Sequence, residues 1–111
     1  MARSTTAAET NDHVDPKWVL RLYVSGMSPG SARAITAIKS ICEEHIADDY
    51  ELRVFDVYRD PGSADVDRVR ATPTLVRAEP LPETHIFGYL DDHDRVADSL
   101  GLPPRRRLRP R

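Results

Sequence analysis

The sequence predicts an α/β domain with element order β-α-β-α-β-β-α and a mixed four-stranded sheet. Three observations predict it. Residues 18–24 alternate Leu20, Leu22 and Val24 with Val19, Arg21 and Tyr23, the period-2 pattern of a strand, apolar or aromatic on most of both faces and therefore covered on both. A helical stripe follows directly, with Ile35, Ile38, Ile41/Cys42 and Ile46 at steps of three and four. Alternation then resumes over residues 50–57, with Tyr50, Leu52 and Val54 on one face. Strand, crossover helix and strand make a βαβ unit, whose strands run parallel with a right-handed connection.

The remaining elements follow from local chemistry. Ser28 stands where an N-cap belongs and Pro29 at the first helical position, where a missing N–H costs nothing. Asp48-Asp49 end the helical pattern. Arg59-Asp-Pro-Gly62 is a turn, and Ser63 is suited to cap a short helix over 64–70 with Val66 and Val69 inward. Pro73 cannot donate to a ladder and so precedes the third strand, 74–78. After the loop Glu79-Pro-Leu-Pro82, residues 84–90 alternate again, which predicts an antiparallel hairpin. Asp91 or Asp92 caps a last helix with Val96, Ala97 and Leu100 inward and Gly101 as its stop.

The 111 residues suffice for one domain, expected over 17–102, between a disordered tail over 1–16 and a basic disordered tail over 103–111. Five arginines between Arg105 and Arg111 mask an acidic body behind a formal charge of −2, which argues against a nucleic-acid surface built into the fold. The tail itself is either solvated or a contact for an acidic partner. No apolar run approaches the length of a membrane span or a secretory signal, so a cytoplasmic location is expected. The single cysteine, Cys42, permits no internal disulfide and sits on the apolar stripe as a small core hydrophobe. His13, His45, His85 and His93 lack metal-site spacing, and no glycine-rich phosphate loop is present, so no cofactor is expected. Asp48-Asp49 and Asp91-Asp92 read as a helix exit and a cap, because adjacent carboxylates do not face each other across a substrate. Arg21, Arg33, Arg53, Arg68 and Arg77 read as a solvated basic set, and Trp18 as the anchor of the first strand.

This element order, with a proline immediately before the third strand, is the thioredoxin-like arrangement. Leu20-Arg-Leu-Tyr-Val-Ser-Gly26, Ser28-Pro29, Ser31-Ala-Arg33-Ala34, Val54-Phe-Asp-Val57, Asp60-Pro61, Ala71-Thr-Pro-Thr-Leu75 and Ile86-Phe-Gly88 occur in the order of the KaiB family, and over 18–100 the chain resembles that family. The resemblance implies a non-enzymatic regulatory protein that binds a KaiC-like RecA-type ATPase in a circadian clock or related signalling. A clock-associated histidine kinase would compete for the same site, and a homo-oligomer is compatible with the family. It further implies a cis Pro73 and assigns Arg68 and Arg33 to partner contact. The family's paired basic residues opening the fourth strand are replaced here by Thr84-His85. KaiB proteins also adopt a ground state of order β-α-β-β-α-α-β; the capped, amphipathic run Asp92–Leu100 favours the thioredoxin-like order in this chain. The competing reading is a thioredoxin-fold redox or glutathione-linked protein, against which stands Met27-Ser-Pro-Gly30 where such an enzyme carries its cysteines. A third is the sensor role of the KaiB-like domain of clock histidine kinases, and within the first reading a KaiB homologue serving stress signalling outside a clock is the alternative.

Overall fold

A computed structural model describes residues 16–105. The expectations for residues 1–15 and 106–111, which cover most of both tails, lie outside the described residues. The elements are β1 (Trp18–Val24), α1 (Pro29–Ile46), β2 (Tyr50–Asp56), α2 (Pro61–Val66), β3 (Thr74–Glu79), β4 (Thr84–Phe87) and α3 (His93–Leu100). The sheet order is β2-β1-β3-β4, with β1 parallel to β2 and antiparallel to β3, and β3 antiparallel to β4. This is the thioredoxin-like order.

Helix α1 starts where its cap chemistry directs. The Ser28 hydroxyl accepts from the Ser31 N–H at 3.1 Å and Pro29 opens the first turn. Its stripe buries Ala34, Ile38, Ile41, Cys42 and Ile46 against Trp18, Leu20, Leu22 and Val24 of β1, and α3 adds Val96, Ala97 and Leu100 to the same core. Asp92 caps α3 by accepting from the Arg95 N–H, and Gly101 stops it at φ 72°, a left-handed conformation that glycine enters without a Cβ penalty.

Four local expectations are corrected. Helix α2 begins three residues earlier than expected and ends at Val66, because Pro61 supplies the pre-formed first turn and Asp60 takes the cap position; Ser63 lies inside the helix, buried, donating to the Asp60 carbonyl at 2.7 Å. Val66 is 73% exposed instead of inward. Strand β4 stops at Phe87, since Gly88 at φ 99° leaves the extended region. Neither Arg77 nor Arg21 belongs to a solvated face. The Arg77 guanidinium is buried, donating to the carbonyls of Leu100 and Pro82, and Arg21 is half-buried against Asp67. The first residues after α3 are docked: the Pro103 carbonyl lies 2.7 Å from His45 Nδ1, and Arg105 reaches both Glu44 and Asp94.

Candidate interaction surface

The carboxyl ends of β1 and β2 bring three turns together. Asp56, at the end of β2, accepts from the N–H groups of Gly26 and Tyr58, each at 2.9 Å. These backbone donors hold its carboxyl below the usual carboxylate range, with Arg59 adding to the effect. Gly26 sits at φ 67°, and a Cβ there would lie 3.2 Å from the Tyr58 ring, so both the backbone angle and the close approach require glycine. The Ser25 and Thr72 hydroxyls touch across the gap to the cis Thr72–Pro73 peptide. The side chains presented outward are Met27, 89% exposed, and Tyr58.

This corner contains no nucleophilic sulfur. Cys42 is fully buried on α1, where burial pushes its thiol up to about 12, the opposite of the activation that a helix N-terminus gives a redox cysteine. Among the described residues no group of three or more His, Cys, Asp or Glu is placed to hold a metal ion, and no helix is long and apolar enough to cross a membrane. The concavities are shallow. One, of about 380 Å³, is lined by Ala32, Arg33, Thr36, Ala37, Asp91 and His93, between α1 and the start of α3.

The two arginines singled out from the sequence are both exposed but are not brought together. Arg33 stands on the second turn of α1, on the face of the sheet that carries Leu20 and Leu22. Arg68 is not on a helix: it follows α2 in a left-handed conformation, φ 57°, and its neighbour Asp67 binds Arg21 and Tyr23, which point to the opposite face. Strand alternation therefore puts the two on opposite sides of the sheet.

The same loop holds a cluster that sequence reasoning missed. Arg21 Nη1 donates to both Asp67 oxygens at 2.9 and 3.1 Å, and the buried Tyr23 hydroxyl donates to Asp67 Oδ2 at 2.6 Å. Tyr23 also stacks on Phe55 with centroids 5.1 Å apart. Burial first, and the Asp67 carboxylate second, raise the Tyr23 phenol well above its ordinary pKa. Nothing in local periodicity couples Asp67 to β1. Arg77 did leave a signal, since an arginine inside the apolar run Leu75-Val-Arg-Ala78 of a central strand needs buried acceptors.

A family model described as the KaiB domain matches residues 21–102. The circadian clock oscillator protein KaiB of Synechococcus elongatus is 41% identical over 85 residues, which cover 77% of this chain and 83% of that protein. The protein of the same name from Nostoc sp. is 42% identical over 85 residues, covering 77% of this chain and 79% of its own. Among solved structures, the N-terminal domain of Synechococcus elongatus SasA superposes with a TM-score of 0.63 at 24% identity, over 86% of this chain and 90% of that domain. The germline-specific thioredoxin Deadhead of Drosophila melanogaster gives 0.62 at 15% identity, over 78% and 81% respectively. At those identities the two structures speak for the fold alone.

Proposed function

The chain belongs to the KaiB family, a non-enzymatic family of clock proteins, and from that premise we propose that it is a regulatory binding module that docks on a KaiC-like RecA-type ATPase. One observation carries the reading. At the β1–α1 corner, where a thioredoxin-fold enzyme holds its redox sulfur, this fold presents Met27, Tyr58 and hydroxyls instead, a surface able to bind but not to turn over a disulfide. Docking would occur in the cytoplasm, and a clock-associated histidine kinase of the same fold would compete for the site.

Arg68 is the first candidate contact and Arg33 the second, each meeting an acidic patch of the ATPase. Because they rise from opposite faces of the sheet, one partner surface reaches both only across the rim of the domain. The test is binding of the full chain to the KaiC-like ATPase of the same cell. Arg68→Glu is expected to raise the off-rate and flatten the salt dependence, weakening binding about fivefold to a hundredfold, the loss of one charge-assisted contact. Arg33→Glu should act less. Both positions are exposed, so stability should move by no more than about 0.5 kcal/mol. Unaltered binding by both variants would place the contact elsewhere, and absence of binding by the wild type to any such ATPase would remove the reading.

A further inference from the structure

The chain that leaves α3 stays against the domain. After the Gly101 turn the Leu102 N–H donates to the Ala97 carbonyl at 3.0 Å, and the Leu102 side chain packs on the core. The Pro103 carbonyl then meets His45 Nδ1 at 2.7 Å; a carbonyl only accepts, so His45 carries a proton on that nitrogen. Arg105 bridges the two helices, its Nε 3.1 Å from Glu44 of α1 and its Nη2 3.4 Å from Asp94 in the first turn of α3. Residues 102–105 therefore run back between α1 and α3, from the carboxyl end of α3 toward its start.

Ahead of them lies a groove of matching chemistry. On α1, Glu44, Ser40, Ala37 and Arg33 follow one another at steps of four, three and four, so they share one stripe, and the small Ser40 and Ala37 keep its middle low. Lys39 lies about 120° round the helix from that stripe. At the far end, the concavity of about 380 Å³ opens between Arg33, Thr36 and Ala37 of α1 and Asp91 and His93 at the start of α3. Asp91, Asp94 and Asp98 are exposed, whereas Arg95, the cation among them, is turned onto the Tyr89 ring at 4.0 Å. Beyond Arg105 the sequence continues as Arg106-Arg-Leu-Arg-Pro-Arg111. Arg33 is about 17 Å along α1 from Glu44 at 1.5 Å per residue, and six extended residues span at most about 20 Å. The segment is long enough to reach the concavity and ends there.

We propose that residues 106–111 continue this strap along the α1–α3 groove, seating their arginines against Asp91, Asp94 and Asp98, so that the acidic partner of the basic segment is the chain's own surface. Seated there, the strap covers the ground around Arg33, and a partner that uses Arg33 must displace it; that consequence rests on the function proposed above. A nitroxide attached through Arg111→Cys in the full chain reports where the segment lies, because Cys42 is buried and does not compete for the label. Paramagnetic broadening is expected to centre on the amides of residues 32–37 and 91–94 and to be absent at Ser63. It should be lost in about 1 M salt, where the Debye length falls to about 3 Å. Asp91→Lys combined with Asp94→Lys, both exposed positions, should abolish it too. Broadening spread evenly over the surface or centred elsewhere overturns the proposal, as does a pattern that neither salt nor charge reversal moves. Broadening of an isotope-labelled wild type by spin-labelled neighbours would place the segment on a second molecule and overturns it as well. None of these outcomes involves an ATPase, so the strap stands or fails separately from the proposed function.

Discussion

On one face of the sheet, Leu20, Leu22 and Val24 meet Ile38, Ile41 and Cys42 of α1 and Val96 and Leu100 of α3; on the other, Arg21 and Tyr23 meet one carboxylate, Asp67, delivered by the loop after α2. The first face is held by burial of apolar area, which is non-directional and shared among many side chains. The second depends on three groups whose geometry must be right, with the Asp67 side chain only 3% exposed. Non-directional packing tolerates a change of shape better than a hydrogen-bonded cluster tolerates loss of a member, but it contributes more in total. The two faces should therefore fail differently when cut.

The largest effect is expected on the apolar face. Ile38 is fully buried, and Ile38→Ala removes its transfer free energy and leaves a cavity, which together cost about 2–5 kcal/mol. Urea denaturation with an unchanged m-value would report it. A loss below about 1 kcal/mol would mean that α1 and the sheet close over the gap, and that this face is looser than its burial suggests.

Asp67→Ala comes next, at about 1–3 kcal/mol. It strands the buried Tyr23 hydroxyl, whereas Arg21, with a side chain 30% exposed, can turn to water, so the loss falls below that of breaking a wholly buried pair. Near-neutral behaviour of Asp67→Ala would show that the α2–β3 loop is held by something other than this cluster.

These two substitutions also divide what sequence could and could not foresee. The apolar face was legible because its pattern is local: periods of two and of three to four place Leu20, Leu22, Ile38 and Ile41 without reference to anything distant. Ser28, Asp92 and Gly101 were legible because a cap is a short-range contact. Asp67 lies 46 residues from Arg21, and only the topology that returns the chain across β1 makes it a partner. The same limit applies to the candidate contacts. Arg33 and Arg68 can be picked out as exposed cations, but which side of the sheet each occupies depends on where α2 ends, and the cue at Ser63 pointed to a helix three residues later than the one that Pro61 starts. The burial of Arg77 escapes the sequence pattern for a related reason. Strand alternation separates wet from dry only where one face is open, and β3 is buried on both.

Tyr23→Phe tests the polar face by pH. Its phenol is raised by burial and by Asp67, so in the folded protein it stays neutral where an ordinary tyrosine, near 10.0, has begun to ionise. A raised folded pKa gives stability that is complete below the unfolded value and is lost as pH rises through and beyond it. Wild-type stability should thus fall above about pH 10. Tyr50, raised in the same direction by burial and by its hydrogen bond to Glu43, contributes to that fall. Tyr23→Phe should cost about 1–2 kcal/mol at neutral pH and flatten the alkaline slope, leaving the parts that Tyr50 and the buried Cys42 thiol, also raised, contribute. An alkaline slope identical in wild type and Tyr23→Phe would show that the phenol is not protected by this face.

The smallest effects separate the helices on the two faces. Ser28 caps α1 through a 3.1 Å bond to the Ser31 N–H, whereas Asp60, in the same position on α2, makes no side-chain cap bond. Ser28→Ala leaves a first-turn N–H without its acceptor and should cost about 1 kcal/mol. Asp60→Ala removes a side chain that satisfies none of the α2 donors, and the turn retains Pro61 and the bond from the Ser63 hydroxyl to the Asp60 carbonyl, so a change within about 0.5 kcal/mol is expected. Matched denaturation curves for the two variants read the difference directly. If Asp60→Ala cost as much as Ser28→Ala, its carboxylate would be stabilising α2 through the field of the helix N-terminus instead of through a bond. Added salt would then erase the excess, because a field at an exposed terminus is screened while a hydrogen bond at Ser28 is not.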